Sequence, residues 1–160
     1  MRILLAVDGS VYSDAAIDEV MERTWPAGSE VKVISAVEPA YLPAAEPWAI
    51  APTYYGELDR AAQERARDAV DSAAKKLADR PEKVLLVTTD TPTGSPKQVI
   101  LDEAEAWGAD LVVLGSHGYG AWNRILLGSV SNAVATHAKC CVEIVRRPHT
   151  NGNGHVKKVA

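Results

Sequence analysis

Residues 111–131, LVVLGSHGYGAWNRILLGSVS, restrict what this chain can fold into more than any other stretch. Four apolar residues run straight into Gly115, and Gly118, Gly120 and Gly128 follow, the last joined to Ser129. An apolar run without polar alternation predicts a strand covered on both faces, the condition of a parallel sheet flanked by helices. A strand that ends in a glycine-bearing loop, and then in Gly-Ser at a helix start, presents backbone N–H groups in the way that suits a phosphate. Glycine lacks a Cβ, so it accepts positive φ and lets the backbone approach a ligand closely.

The rest of the chain repeats the strand and helix signals in alternation. Residues 3–7 (ILLAV) predict a first, central strand ending at Asp8, Gly9 and Ser10. Ser10 or Ser13 can cap a helix to about Arg23 with Ala16, Ile17, Val20 and Met21 as its apolar stripe, and Pro26 and Gly28 end it. Val31, Val33, Ile34 and Val37 mark a second strand. Residues 38–56 interleave Pro39, Pro43, Pro47 and Pro52 with Tyr41, Trp48, Tyr54 and Tyr55, which predicts a long loop, either a surface excursion or a lid. Helical spacing covers 57–79, with Leu58, Ala62, Ala66, Ala69, Val70, Ala73 and Leu77 on one stripe.

A third strand is expected over 83–89 (KVLLVTT). Ser95, Pro96 and Gln98 then spell a helix start: a cap, a proline in the first turn and a glutamine able to reach back. Val99, Ile100, Ala104 and Trp107 form its buried stripe and Gly108 its stop. After the glycine stretch, a last helix over 129–138 places Val130, Ala133, Val134 and His137 on one side, and Cys141–Val145 is a fifth strand. Residues 147–160 have little apolar content and predict a disordered tail. Five strands alternating with four helices predict one doubly wound α/β domain over 1–146, with ligands at the strand carboxyl ends where the winding reverses. Asp8 and the glycine loop stand at such ends.

Composition removes several function classes. A chain of 160 residues, 47% of them hydrophobic, suffices for one full core. Its formal net charge of -4 supplies no general basic field, so nucleic acid is not an expected partner. No stretch approaches the roughly 20 apolar residues that span a bilayer, and the opening run is too short for a signal-peptide core, so a soluble cytoplasmic protein without membrane contact is expected. Cys140 and Cys141 are the only cysteines; as neighbours they predict two reduced thiols at a strand start, without the C-x-x-C spacing of a redox switch.

The spacing Gly115, two residues, Gly118, nine residues, then Gly128 and Ser129 resembles the signature of the universal stress protein family, in its ATP-binding branch. The likeness covers residues 2–145 and implies a five-stranded parallel sheet in the order 3-2-1-4-5. It also implies a site for ATP or another adenine nucleotide. Asp8 would help hold the nucleoside, Ala6 would edge the adenine pocket, and the backbone of Val37 would meet the base. Leu114 and Gly115 would lie beneath base and ribose, Gly118 would form the phosphate turn, and Gly128, Ser129, Val130 and Ser131 would bind phosphate oxygens. A carboxylate accepting from ribose hydroxyls, with amides and hydroxyls on phosphate, is coherent chemistry.

Within the insert, Arg124 is either a cation for the triphosphate or a solvated loop arginine, and His117 contributes through its backbone rather than as a catalytic base. The resemblance further implies Mg2+ bridging the phosphates and a homodimer through the fifth strand. Two departures bear on the dimer. Cys140-Cys141 replaces the Cys-Pro of relatives, and Glu143 sits among Val142, Ile144 and Val145, where a charge discourages edge pairing.

Three other nucleotide or phosphate chemistries fit less well. A dinucleotide enzyme needs G-x-G-x-x-G after the first strand, where this chain has Asp8-Gly9-Ser10-Val11-Tyr12. A phosphoacceptor domain could use Asp8 and Asp90 but lacks the second acid beside Asp8, and has Arg146 where a lysine is wanted. An ATP-pyrophosphatase needs a Ser-Gly-Gly loop that is missing. The expectation is therefore an ATP-binding regulator of stress adaptation with at most slow hydrolysis. The alternative is a nucleotide-free interaction module of the same fold, acting through dimerisation or partner binding.

Overall fold

The computed structural model describes residues 1–39, 52–79, 85–118 and 127–146. The elements alternate as β1 (Arg2–Ala6), α1 (Val11–Glu22), β2 (Glu30–Ile34), α2 (Pro52–Ala78), β3 (Leu86–Asp90), α3 (Pro96–Trp107), β4 (Leu111–Gly115), α4 (Ser129–His137) and β5 (Cys141–Val145). All neighbouring strands pair in parallel, in the order β3-β2-β1-β4-β5, as the resemblance implied. The chain leaves the central strand β1 toward one edge and returns to its other side at β4. The winding therefore reverses between β1 and β4, and their carboxyl ends border a crevice.

The unbroken apolar runs follow from two cores. On one face Ile3, Leu5, Val31, Val33, Leu111 and Val113 pack with Ile17, Val20, Val70 and Ala73 of α1 and α2. On the other, Leu4, Ala6, Ile34, Val112 and Leu114 pack with Ile100, Ala104 and Val134 of α3 and α4. Successive strand residues point to opposite faces, so both residues of every pair must be apolar. Each large aliphatic chain so buried contributes about 1.5–3 kcal/mol. Lys32 breaks the run on the α3 side and is accommodated by an ion pair with Glu103 of that helix.

Several local expectations change. Helix α2 begins at Pro52 rather than near residue 57, because proline is well suited to a first helical turn whose N–H groups lack intrahelical partners; residues 40–51 of the proline-rich segment lie outside the described residues. Ser95 caps α3 without a side-chain hydrogen bond, and Gln98 donates forward to Asp102 Oδ1 (2.7 Å) instead of reaching back. Gly108 does stop that helix in the left-handed region, at φ 68°. His137 is exposed, so the buried side of α4 is Ser131 and Val134. Val37 lies beyond β2 and joins the sheet only through a bridge to Thr93. Residues 83 and 84 of the third apolar run and the expected tail at 147–160 are outside the described residues.

Glu143 is not an isolated charge on β5. Its carboxylate accepts two hydrogen bonds from the Arg23 guanidinium (2.7 and 2.8 Å), and Arg23 also reaches Glu19 (2.9 Å) and lies 5.2 Å from the Trp25 ring centre. Glu143 pushes the Arg23 pKa up, against partial burial. The pair ties the end of α1 to the last strand. Arg23→Met, which keeps the apolar stem, is expected to cost about 1 kcal/mol after allowance for solvent screening; an unchanged urea midpoint would refute the tie. Cys140 is half-buried and Cys141 exposed, both as free thiols. Burial pushes the Cys140 thiol up, with Cys141 adding to the effect. Iodoacetamide at pH 8 should therefore label Cys141 ahead of Cys140 in peptide mass spectra.

Candidate functional site

The carboxyl ends of β1, β2 and β4 and the start of α4 enclose a cavity of about 470 Å³. This is the size of a small-molecule site. Its floor is apolar: Ala6, Ile34, Leu114 and, from α3, Pro96 and Ile100. Its polar side is formed by Asp8, His117, Gly118 and the segment Gly128 to Ser131.

Three glycines shape that polar side by close approach, none of them through positive φ. A Cβ on Gly115 would lie 2.6 Å from the backbone carbon and 2.7 Å from the backbone oxygen of Tyr12, so the first turn of α1 rests directly on the end of β4. On Gly118 it would meet Asp8 Oδ2 at 2.9 Å, and on Gly128 it would stand 3.3 Å from the His117 Cα. The loop closes through backbone bonds: Ser116 N–H donates to Val145 O (2.8 Å), and Gly128 N–H to Ser116 O (2.9 Å).

Helix α4 starts at Gly128, which has no side chain with which to cap it. The first-turn amides of Ser129, Val130 and Ser131 lack intrahelical partners, and all three residues line the cavity. The helix dipole adds positive potential at the same place. Ser131, 3% exposed, donates its hydroxyl to Gly115 O (2.8 Å). That side chain therefore braces the loop, and only its backbone faces outward as a donor. Asp8 Oδ1 accepts from Ser10 N–H (2.9 Å), which aims the carboxylate across the mouth. His117 Nδ1 lies 3.1 Å from Ser116 Oγ, and its ring packs 5.1 Å from that of Tyr12.

Of the residues singled out from sequence, Ala6, Asp8, Leu114, Gly115, His117, Gly118, Gly128, Ser129, Val130 and Ser131 border the one cavity. Val37 does not. Its N–H donates to Pro92 O (2.8 Å) and its C=O accepts from Gly94 N–H (2.9 Å), so its main chain is engaged in the sheet extension. Arg124 lies outside the described residues. Sequence reasoning missed Val7, Ser13, Ile34, Ser35, Ala36, Glu38, Pro96 and Ile100 as lining residues. For Ser35 and Ala36 the signal was position, immediately past a strand end. The α3 residues carried no such signal, because only packing brings their helix over the crevice. Among the described lining residues there are two carboxylates, Asp8 and Glu38, and no lysine or arginine.

Comparison with known proteins places this geometry. The sequence matches the model of the universal stress protein family over residues 1–146. The chain belongs to that family. It is 33% identical over 154 residues to the universal stress protein in the QAH/OAS sulfhydrylase 3' region of Thermus aquaticus, covering 90% of this chain and 97% of that one. Among solved structures of the family, universal stress protein UspA from Lactobacillus plantarum is similar with a TM-score of 0.77 and 28% identity over 91% of this chain and 97% of its own. The family protein At3g01520 from Arabidopsis thaliana, solved with AMP bound, has a TM-score of 0.67 at 17% identity, covering 94% and 97%, and at that distance shares the fold.

The glycine contacts give a direct test of which positions shape this universal stress protein fold and which shape only its site. Gly115→Ala is expected to destabilise the protein by about 2–3 kcal/mol, since helix backbone must move to admit one methyl group. Urea unfolding measures it, and a loss below ~0.5 kcal/mol would contradict the close approach.

Proposed function

We propose that the cavity binds an adenine nucleotide, ATP in particular, and that the protein acts as a nucleotide-dependent regulator in stress response with at most slow hydrolysis. The observation that carries this reading is the uncapped start of α4, whose amides open onto the cavity opposite an apolar floor. Amides at a helix start suit phosphate oxygens, and an apolar slot between Ile34, Ile100 and Leu114 suits a planar base. The AMP held by the Arabidopsis relative supports the same ligand class. Asp8 would accept from ribose hydroxyls, and Gly118 would leave room for the phosphates beside it.

Two carboxylates repel a triphosphate, so the reading calls for a divalent ion such as Mg2+. Carboxylate oxygens are suitable donors for it. Among the described residues no group of three or more His, Cys, Asp or Glu side chains could hold a metal by itself. The ion would therefore arrive on the phosphates. His117 Nδ1 lies within hydrogen-bond distance of Ser116 Oγ, and its ring packs on Tyr12. Self-association through β5 belongs to the same proposal, and the internal pairing of Glu143 with Arg23 removes one charge that would oppose it.

Calorimetric titration with Mg2+ and ATP tests the reading. Wild-type protein is expected to bind, and Gly118→Val to weaken binding by about 10-fold or more. That variant should keep its unliganded melting temperature within a few degrees, because the added Cβ meets the Asp8 side chain rather than backbone. Wild-type protein that ignores ATP at millimolar concentration would favour the nucleotide-free interaction module instead.

A further inference from the structure

Lys32 stands on a sheet face that elsewhere is apolar. Alternation along β2 places it on the same side as Ile34, the side packed by α3 and α4. Its ammonium donates to Glu103 Oε1 of α3 (2.5 Å) and lies 3.7 Å from Asp90 Oδ2 of β3, and the Lys32 and Glu103 side chains are each only 20% exposed. Withdrawing two charges this far from water costs free energy that an apolar pair at the same place would not. The surroundings of α3 supply a reason for them. One flank of that helix packs on α4. Beside the other, β3 presents Leu86, Thr88 and Asp90, in register with Glu30, Lys32 and Ile34, and all three are exposed, Leu86 at 62%. Among the described residues, then, α3 is the outermost helix of its layer, and its outer flank is tied to β2 by the Lys32–Glu103 pair.

The same two elements form the apolar side of the cavity. Ile34 follows Lys32 by two residues on one face of β2, and Ile100 precedes Glu103 by three on one side of α3. Ile34 and Ile100 both line the cavity. The ion pair therefore bridges β2 and α3 one step below the slot, at a spacing of roughly 5–7 Å along either element, and the distance it sets between them carries over to the distance between the two isoleucines. Other bonds hold α3 elsewhere. Arg2 Nη1 donates to Trp107 O (3.1 Å) at its far end, and Gly94 N–H donates to Val37 O (2.9 Å) in the turn before it. Neither fixes the middle of the helix against β2. Asp90 offers Lys32 a second carboxylate on the side away from α3, so loss of Glu103 would turn the ammonium toward β3 and release the flank.

We propose that Lys32 and Glu103 are positioning residues for the base: the pair sets the width of the slot between Ile34 and Ile100, and with it the affinity for the base rather than for the phosphates. The proposal rests on the adenine-nucleotide reading of the cavity. Calorimetry with Mg2+ present separates the two when wild type and variants are each titrated with ATP and with inorganic tripolyphosphate. Glu103→Ala should bind ATP about 3- to 10-fold more weakly and tripolyphosphate as wild type does. Lys32→Met, which breaks the pair from the other end and keeps the apolar stem, should show the same ATP-selective loss. Glu103→Gln keeps an acceptor for the ammonium and should stay within about 2-fold of wild type toward both ligands. A ratio of ATP to tripolyphosphate affinity equal to that of wild type in either breaking variant would overturn the positioning role and leave the nucleotide site standing, since a part in stability alone lowers the melting temperature without moving that ratio. A glutamine variant as weak toward ATP as the alanine variant would overturn it too. Wild-type protein that binds no ATP would overturn both readings.

Discussion

The arrangement depends on the contact between Gly115 and the backbone of Tyr12. A methyl group at that point would stand 2.6 Å from a main-chain carbon, so α1 can pack over the end of β4 only if residue 115 has no side chain. With the helix there, Asp8 at the end of β1 and the loop at the end of β4 share one rim. The loop is then held by bonds that all originate near Gly115: the Ser131 hydroxyl on Gly115 O, Gly128 N–H on Ser116 O, and Ser116 N–H on Val145 O. The last of these joins the rim of the cavity to the edge strand β5. The Glu143 pair with Arg23 joins that strand in turn to α1.

The electrostatics of the site come from the main chain. Described side chains around the cavity bring negative charge, at Asp8 and Glu38, whereas the positive potential comes from amides at an uncapped helix start. Such a site is selective by geometry, because oriented amides act only on an oxygen at the right place. It also makes a counter-ion part of anion binding. Two nearby hydroxyls are used within the protein: Ser131 braces Gly115, and Ser116 engages His117.

Legibility in the sequence tracked the range of the interaction responsible. Burial on two faces leaves an unambiguous mark, so residues 3–7 and 111–114 read directly as inner strands, and Gly108 read as a helix stop because left-handed φ is a property of one residue. Local capping chemistry read less well. Ser95 and Gln98 have the right spacing, yet Gln98 found a better partner in Asp102 on its own exposed face. Pro52 read as a breaker although a first helical turn tolerates it. Val37 read as the end of a strand and a contact for the ligand, whereas Pro92 and Gly94 engage its main chain across the sheet.

By itself the sequence determined the class of fold, the number of elements and the loop that can face an anion, because these follow from apolar periodicity and from where glycine stands. Only the tertiary structure decided how each polar group of the site is used. Ser131 is a brace and Glu143 is neutralised by Arg23 because residues 16 or 120 positions apart meet only once the sheet has been assembled. Hydrogen bonds are short and directional, so their partners are chosen by the final packing and leave no period in the chain to read beforehand.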